Sequence, residues 1–341
     1  MRVAILGAGG TIAPVIVRDL ARSEEIDALR LLDLDAGRAE AVAEGFGEGK
    51  AEARGVDART GGLGYQLTGC DVLINSASYR VNIEAMRACL EAGCHYIDLG
   101  GLYWMTGKQL EMHDDFEAVG KLALLGMGSS PGKTNVMARA GARALGDESK
   151  LDEAHVYAAG RRLDPGAPLA APYAIQTLKD ELEMSPISVR DGQPVEVDPM
   201  TPSGRRDFGD PIGEGDLIHT IHSELRTFPD SFGVREATFN LSLPPALLER
   251  LDEVTETIPP DAPSVSVHMV DCVRDGRTIT MRAVTEGSVN STATPAAAAV
   301  RLMARGKIDA VGALPPERCV DPDDLFPELE QRGCSFAEVA T

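Results

Sequence analysis

The sequence Arg2-Val3-Ala4-Ile5-Leu6-Gly7-Ala8-Gly9-Gly10-Thr11-Ile12 joins a short apolar run to a glycine-rich turn near the amino terminus. The apolar run predicts a β-strand over Arg2–Leu6, and a helical pattern over Ile12–Ala21 follows the turn. In such a strand–turn–helix the first glycine permits the tight turn and the second lets the backbone approach a pyrophosphate. The helix amino terminus adds free N–H donors and a partial positive charge. We therefore predict that Gly7, Gly9, Gly10, Thr11 and Ile12 bind a dinucleotide, although Ile12 and Ala13 replace the usual third glycine.

The cofactor prediction depends on Asp33, which ends the second predicted strand, Leu29–Asp33. A carboxylate roughly 20 residues beyond the glycine turn accepts hydrogen bonds from the adenosine ribose and repels the 2′-phosphate of NADP. We therefore predict NAD, with NADP as the alternative because Arg38 lies nearby. Asp33 or Asp35 could instead cap the helix that begins at Ala36.

The chain alternates strand and helix patterns up to about residue 125, which predicts βαβ units and a parallel sheet. Further strands are predicted over Ala51–Val56, Asp71–Asn75, Tyr96–Leu99 and Lys121–Gly126, with helices over Ala36–Ala43 and Asn82–Ala92. Small residues after the fourth strand, Ser76, Ala77 and Ser78, and Met127 after the sixth are expected to line the cofactor, although the serines could simply cap the loop.

The pattern changes in the middle of the chain, where β-strands and Asp-Gly turns dominate. The predicted strands are Val156–Ala159, Ile187–Arg190, Gln193–Val197, Arg235–Leu243, Val265–Val273 and Thr278–Thr285. Helices are predicted over Ala171–Glu183 and from Thr294-Pro295 to Arg305, because threonine followed by proline is a helix start signal. The predicted fold class is α/β: a doubly wound Rossmann sheet plus an α+β substrate domain with a mostly antiparallel sheet. The predicted boundaries are 1–130, completed by 294–341, for the Rossmann domain and 131–293 for the substrate and dimerisation domain.

Composition excludes several function classes. The 341 residues are 43% hydrophobic and 25% charged, as in globular proteins, and the net charge of −20 argues against nucleic acid and anionic membranes as partners. The amino terminus lacks the apolar region of a signal peptide, and no stretch approaches a membrane span, so we predict a cytoplasmic protein. The six cysteines contain no CxxC pair, which favours reduced thiols over disulfides or zinc.

Several segments, in their order along the chain, resemble the saccharopine dehydrogenase family, in its lysine-6-dehydrogenase-like and saccharopine reductase-like branch. The matching segments are Gly7–Gly10, Cys89–Asp98 (Cys-x-x-x-Gly-x-x-Tyr-x-Asp), Pro131–Asn135 (Pro-Gly-x-Thr-Asn), Thr220–Glu224 (Thr-x-His-Ser-Glu), Thr294–Ala297 and Gly312–Glu317. The resemblance implies that the carboxyl-terminal helix and tail return to the Rossmann domain. It also implies hydride transfer between NAD(P) and the carbon–nitrogen bond of an amino-acid-like substrate, such as lysine, saccharopine or an opine.

Amine oxidation of this kind needs a group that moves protons near the working pH. The candidates are Asp98, Tyr103, Lys133, His222 and Glu224. Each has a structural alternative: Asp98 could cap the turn that follows it, Tyr103 could pack with Trp104, and His222 could be a core histidine. Lys133 could instead pair with a substrate carboxylate. Arg205-Arg206 could clamp a carboxylate, but a solvated loop is the favoured interpretation.

Three functions remain open from the sequence. The leading hypothesis is an NAD-dependent amine dehydrogenase, and the second is a reductase that condenses an amine with an aldehyde or keto acid, as in carboxynorspermidine dehydrogenase. The third is an NAD(H)-binding sensor or scaffold without turnover. We expect no metal, because His219 and His222 have no third ligand nearby in the sequence, and a homodimer, because an antiparallel sheet with an exposed face favours pairing.

Overall fold

The computed structural model describes residues 1–339 and divides the chain into two units. The first unit comprises Met1–Gly132 and Thr292–Leu325, and the second comprises Lys133–Ser291 and the chain from Phe326 onward. The predicted return of 294–341 to the Rossmann domain therefore differs in its last part, because a strand over Cys334–Val339 pairs within the sheet of the second unit. Residues 340–341 of that predicted range lie outside the described residues.

The strands have these bounds: β1 (Arg2–Leu6), β2 (Ala28–Asp33), β3 (Ala51–Gly55), β4 (Val72–Asn75), β5 (His95–Asp98), β6 (Leu122–Leu124), β7 (Glu153–Arg162), β8 (Ile187–Arg190), β9 (Gln193–Glu196), β10 (Pro202–Asp207), β11 (Glu214–His219), β12 (Glu236–Ser242), β13 (Ser264–Arg274), β14 (Arg277–Glu286), β15 (Gly312–Leu314) and β16 (Cys334–Val339). The helices are α1 (Ala13–Ala21), α2 (Ala36–Phe46), α3 (Leu63–Gln66), α4 (Asn82–Ala92), α5 (Leu102–Leu110), α6 (His113–Ala118), α7 (Lys133–Ala144), α8 (Ile175–Glu183), α9 (Glu224–Phe232), α10 (Pro245–Glu249), α11 (Ser288–Ala304), α12 (Pro316–Cys319) and α13 (Pro322–Glu330).

The first unit is built on a seven-stranded sheet in the order β15-β6-β5-β4-β1-β2-β3, and all its pairs are parallel. Strands β4 and β6 are buried along their whole length, which explains why they are apolar except for Asn75 at the end of β4. The strand order reverses between β1 and β4, and ligands of such sheets bind at the carboxyl ends of the strands at this point. The predicted Rossmann sheet is confirmed, with β15 added at one edge.

The second unit contains a nine-stranded sheet in the order β10-β11-β12-β7-β13-β14-β16, in which β8 pairs with β12 and β9. Only β12 and β7 run parallel, so the predicted mostly antiparallel sheet is confirmed. No helix among residues 1–339 has the length and apolar character needed to cross a bilayer.

Two local predictions were wrong. Helix α11 begins at Ser288 and contains Pro295 within it, because Val289 and Ala296 on either side of the proline are buried along the same helix. Burial of this apolar face outweighs the one helix hydrogen bond that a proline removes. The segment around Arg205-Arg206 is strand β10 and not a loop.

The two neighbouring arginines of β10 have different surroundings. Arg206 makes a two-pronged pair with Asp271 at 2.8 and 2.7 Å and covers the Tyr157 ring at 4.5 Å. Arg205 pairs with Glu214 and Asp216, but all three side chains are well exposed.

We predict that Arg206→Met lowers the free energy of unfolding by roughly 2 kcal/mol, because the largely buried Asp271 loses its cation. Arg205→Met is the matched control and should change it by less than about 0.5 kcal/mol, because exposed ion pairs contribute little. Urea unfolding followed by circular dichroism measures both values. Equal losses in the two variants would contradict the assignment of Arg206 to a structural ion pair.

Candidate active site

The glycine turn of the first unit forms a surface that only residues without a side chain could provide. Gly7 has a φ of +78°, and a Cβ atom there would lie 2.6 Å from the backbone nitrogen of Ala77. A Cβ atom on Gly9 would lie 2.7 Å from Cβ of Arg38 and 3.2 Å from Oδ2 of Asp33. Helix α1 follows, and no side chain caps its amino terminus. Such a cradle at an uncapped helix end fits the pyrophosphate of a dinucleotide.

The structure separates the roles of the two aspartates after β2. Asp35 is the helix cap, because its carboxylate accepts hydrogen bonds from the backbone N–H groups of Gly37 and Arg38. Asp33 accepts from the backbone N–H of Gly9 at 2.8 Å and from that of Asp35 at 2.9 Å. Its carboxylate therefore lies beside the glycine turn, where an adenosine ribose is bound in Rossmann domains.

The loop after β4 has local hydrogen bonds at both serines. The Ser76 hydroxyl donates to the carbonyl oxygen of Leu6 at 2.9 Å, and the Ser78 hydroxyl accepts from the N–H of Arg80 at 3.4 Å. These bonds agree with the capping interpretation of the serine side chains. The loop backbone at Ala77 is the part that packs against Gly7.

Asp98, a predicted catalytic residue of the first unit, is almost completely buried and surrounded by donors. Its Oδ1 accepts from the backbone N–H groups of Gly100 and Gly126, each at 2.8 Å, and its Oδ2 accepts from the Gln109 amide at 2.6 Å. Burial raises the pKa of Asp98, although the hydrogen bonds from Gln109 and Gly126 favour its ionised form. The predicted alternative of a cap for the following turn agrees with the bond to Gly100.

Tyr103 and Met127 are also positioned in the first unit. Tyr103 is 8% exposed and packs edge-on against Trp104, with ring centroids 4.8 Å apart. The backbone N–H of Met127 donates to the carbonyl oxygen of Asp98 at 2.6 Å, which fixes the loop after β6.

The second unit brings His222 and Glu224 together with a carboxylate that the sequence analysis did not identify. His222 lies in the short segment between β11 and α9, and its two ring nitrogens are each 3.6 Å from a carboxylate, that of Glu181 on one side and that of Glu224 on the other. The ring stacks on Phe239, and all three charged side chains are at least 94% buried. His222 is thus a buried histidine, as in the structural alternative, but its surroundings are ionic.

The pKa of His222 is raised to about 9 by this environment. Burial is the largest single effect and opposes ionisation, but the charges and hydrogen-bonding capacity of Glu181 and Glu224 together outweigh it. The Tyr173 hydroxyl donates to Glu181, and the Thr134 hydroxyl donates to Glu224 at 2.8 Å. Both carboxylates are thus held in place by neutral donors.

Lys133 lies in the same unit and has an unusual environment for a cation. Its ammonium group is 1% exposed and donates to the hydroxyls of Thr285 and Ser291 at 2.8 and 2.9 Å. Among the described residues no carboxylate lies at ion-pair distance from Lys133, and burial lowers its pKa. Burial, then the charges of Lys133 and His222, hold the pKa of His268 well below its usual value.

Five polar residues around these groups were not predicted from the sequence: Glu181, Tyr173, His268, Gln109 and Asn82, whose amide donates to Asp98 at 3.3 Å. Glu181 and Tyr173 lie within the predicted helix Ala171–Glu183, where a glutamate or tyrosine is unremarkable. Asn82 and Gln109 lie on helices of the first unit. Only His268 carried a signal, because it interrupts an otherwise apolar strand.

One group of three possible metal ligands occurs among the described residues. Ligand atoms of His113, Asp114 and Glu117 lie within 4.8 Å of one another, and both carboxylates are exposed. Nδ1 of His113 already lies 3.1 Å from the carbonyl oxygen of Ala313. Nothing else in this group points to an ion.

Comparison with known proteins identifies relatives of this chain. Residues 3–124 match the family model of the saccharopine dehydrogenase NADP-binding domain. The chain is 25% identical to carboxyaminopropylagmatine dehydrogenase from Synechocystis sp., over 99% of this chain and 97% of that protein.

Two solved structures share the fold across nearly the whole chain. A saccharopine dehydrogenase (L-Glu forming) from Saccharomyces cerevisiae superposes with a TM-score of 0.73 at 14% identity, covering 99% of this chain and 100% of that one. Homospermidine synthase from Legionella pneumophila, solved with NAD, superposes with a TM-score of 0.75 at 12% identity, covering 99% and 91%. These two structures confirm the predicted fold. The family model and the similarity to carboxyaminopropylagmatine dehydrogenase confirm the predicted resemblance, NAD(P) binding and the assignment as an NAD(P)-dependent oxidoreductase.

We predict that deprotonation of His222 lowers the free energy of unfolding as the pH rises into the alkaline range. Its folded pKa of about 9 lies above the value of about 6.5 for an unfolded chain, so its contribution is complete below pH ~6.5 and is lost as the pH rises through about 9. Over that interval the free energy of unfolding of the wild type should fall by up to about 3 kcal/mol more than that of His222→Gln. Urea unfolding across the range measures this difference.

The matched control is His219→Gln, which alters the other histidine of the same segment. It should keep the pH dependence of the wild type. If His222→Gln keeps it as well, the ionic environment assigned to His222 is wrong.

Proposed function

Because the first unit carries the NADP-binding domain of the saccharopine dehydrogenase family, we propose that this protein transfers hydride between NAD(H) and the carbon–nitrogen bond of an amino-acid-like substrate. The observation that carries this proposal is the buried imidazole of His222 between Glu181 and Glu224. When bound, the nicotinamide ring accepts the hydride from the carbon that bears the nitrogen, or returns it. In this proposal, side chains carry out the proton transfers that accompany this step.

We assign His222 as the acid–base group. In the oxidative direction the amine loses a hydride, water adds to the resulting iminium carbon, and the proton released by that water passes to neutral His222. In the reductive direction imidazolium returns a proton as water leaves. Glu181 and Glu224 stabilise the imidazolium, and their donors Tyr173 and Thr134 hold them against the ring.

Lys133 is proposed to bind the substrate carboxylate. Burial lowers the pKa of Lys133, and the partners of its amino group are two hydroxyls instead of a carboxylate. A carboxylate of the substrate would supply the missing counter-charge. Catalytic roles for Asp98 and Tyr103 have less support, because the Asp98 carboxylate is already occupied by protein donors and the Tyr103 ring is packed.

The second candidate function is reductive condensation of an amine with an aldehyde or keto acid. The raised pKa of His222 favours it, because at neutral pH the group is an imidazolium ready to donate the proton that dehydration requires. The two functions use one site in opposite directions. The predicted cytoplasmic location and homodimer remain predictions.

NAD is proposed as the preferred cofactor because Asp33 lies beside the glycine turn with its carboxylate held by two backbone N–H groups. A fixed negative charge there would face the 2′-phosphate of NADP. Arg38 lies next to Gly9, where it could offset part of this repulsion.

The proposal is tested with amino acids and their decarboxylated counterparts, for example lysine and cadaverine, each with NAD+, and with amine plus aldehyde or keto acid and NADH. For an active substrate, oxidation should rise as the pH passes about 9 and reduction should fall there, because the two directions need opposite forms of His222. His222→Gln should lose roughly 100- to 10,000-fold in kcat/KM together with this inflection, at unchanged NADH affinity.

His219→Gln should behave like the wild type in these assays. Tight NADH binding without turnover of any substrate would favour the sensor or scaffold function. Turnover that His222→Gln leaves intact would remove His222 from the mechanism.

The cofactor assignment predicts the behaviour of Asp33→Ser. Removing the carboxylate should raise the ratio of NADPH to NADH affinity by at least about tenfold, because repulsion of the 2′-phosphate is lost. Asp35→Ser removes the same charge two residues away at the exposed helix cap, and should leave the ratio within about twofold. Fluorescence titration measures both, and equal ratios in the two variants would count against Asp33 as the specificity residue.

A further inference from the structure

A continuous network of buried polar side chains lies beneath the loops at the carboxyl ends of β4, β5 and β6 in the first unit. Its members are Asn75, Asn82, Asp98 and Gln109, and none is more than 2% exposed. Burying four polar side chains costs free energy unless each finds partners, so an apolar core would be the simpler way to fill this space. We therefore expect these four side chains to have a role beyond filling the core.

The contacts run from one loop to the next. The Asn75 side chain accepts from the backbone N–H of Ala77 at 3.1 Å and donates to Oδ1 of Asn82 at 2.8 Å. Asn82 then donates to Oδ2 of Asp98 at 3.3 Å and to the Gln109 oxygen at 3.2 Å. Gln109 closes the ring by donating to Oδ2 of Asp98 at 2.6 Å.

Asp98 connects this ring to the two remaining loops. Its Oδ1 accepts from Gly100, after β5, and from Gly126, after β6, and its carbonyl oxygen accepts from Met127. Ala77, at the other end of the network, lies directly against Gly7 of the dinucleotide turn. The position of each loop therefore depends on the same few side chains.

The place of the network in the sheet indicates what these loops serve. In a doubly wound sheet a dinucleotide crosses the switch point, so that the adenosine lies over the β1–β2 side, where Asp33 is, and the other half lies over the strands beyond β4. We propose that Asn82, Asp98 and Gln109 are positioning residues for the nicotinamide half of the cofactor, and that Asp98 takes no part in proton transfer. Both oxygens of the Asp98 carboxylate accept hydrogen bonds from side-chain and backbone donors, so its lone pairs are directed at protein groups.

The inference rests on cofactor binding and not on the identity of the reaction, so its test needs no substrate. The affinities of NADH and of ADP-ribose, which lacks nicotinamide, are measured by calorimetry for the wild type, Asp98→Asn and Gln109→Leu. Each variant replaces an acceptor or donor of the network with a side chain of similar size. We expect NADH to bind at least about tenfold more weakly and ADP-ribose to change by less than about twofold.

His95→Leu is the matched control, because His95 begins the strand that Asp98 ends and accepts the backbone N–H of Leu122 at 3.0 Å. It removes a comparable side-chain-to-backbone bond at the opposite end of β5, so the ratio of the two affinities should remain that of the wild type. If Asp98→Asn does not fold, Gln109→Leu alone decides the question.

Parallel loss of both affinities would show that the network only supports the fold and would overturn the proposal. Unchanged NADH affinity would overturn it too. If unchanged affinity came with a lost pH inflection in kcat, Asp98 would be a proton-transfer group.

Discussion

The close approach of Gly7 to Ala77 is the constraint on which the first unit depends. A Cβ at Gly7 would lie 2.6 Å from the backbone of Ala77, so the turn after β1 and the loop after β4 can meet only because no side chain separates them. This contact lies at the point where the strand order reverses. It therefore brings the glycine turn, with Asp33 on one side, against the first loop of the other half of the sheet. From this loop the hydrogen bonds continue from Asn75 to Asn82 and from Asn82 to Asp98. A fold that left more space here would separate the two halves of the dinucleotide site.

Asp98 of the first unit and His222 of the second are both buried, but different interactions stabilise their charged forms. Both carboxylate oxygens of Asp98 accept hydrogen bonds from neutral donors. This arrangement fixes the orientation of the carboxylate and occupies the oxygens that would otherwise accept a proton. His222 faces two carboxylates at 3.6 Å, a distance that allows strong electrostatic attraction but no short hydrogen bond. A group held mainly by charge can lose its proton without breaking a rigid network. The contrast supports the proposed assignment of a positioning role to Asp98 and an acid–base role to His222, two residues that the sequence alone ranks together.

The sequence predicted the features that repeat along the chain and missed those that depend on folding. The parallel sheet could be predicted because buried parallel strands are apolar throughout, and the Asp-Gly turns marked the hairpins of the second sheet. Asp33 stood out because it ends a predicted strand at the expected spacing beyond the glycine turn, and His222 because it lies in a segment that resembles the family. Glu181 could not be found, since a glutamate on an amphipathic helix is ordinary until the helix turns it toward His222. The predicted start of α11 at Thr294-Pro295 was wrong, because a local start signal does not indicate how much apolar surface lies on either side of it.

The contacts of Lys133 in the second unit support the proposed class of substrate. Glu181 and Glu224 provide two carboxylates for the His222 ring, whereas the amino group of Lys133 contacts two hydroxyls, which can solvate a positive charge but do not neutralise it. Removing an ion from water costs several kcal/mol, and a hydrogen bond to a charged group returns only about 1.5 to 3 kcal/mol. A positive charge on Lys133 would therefore remain incompletely compensated by the described residues of this unit. A substrate carboxylate would supply the counter-charge, which favours an amino acid over a simple diamine as the class of substrate.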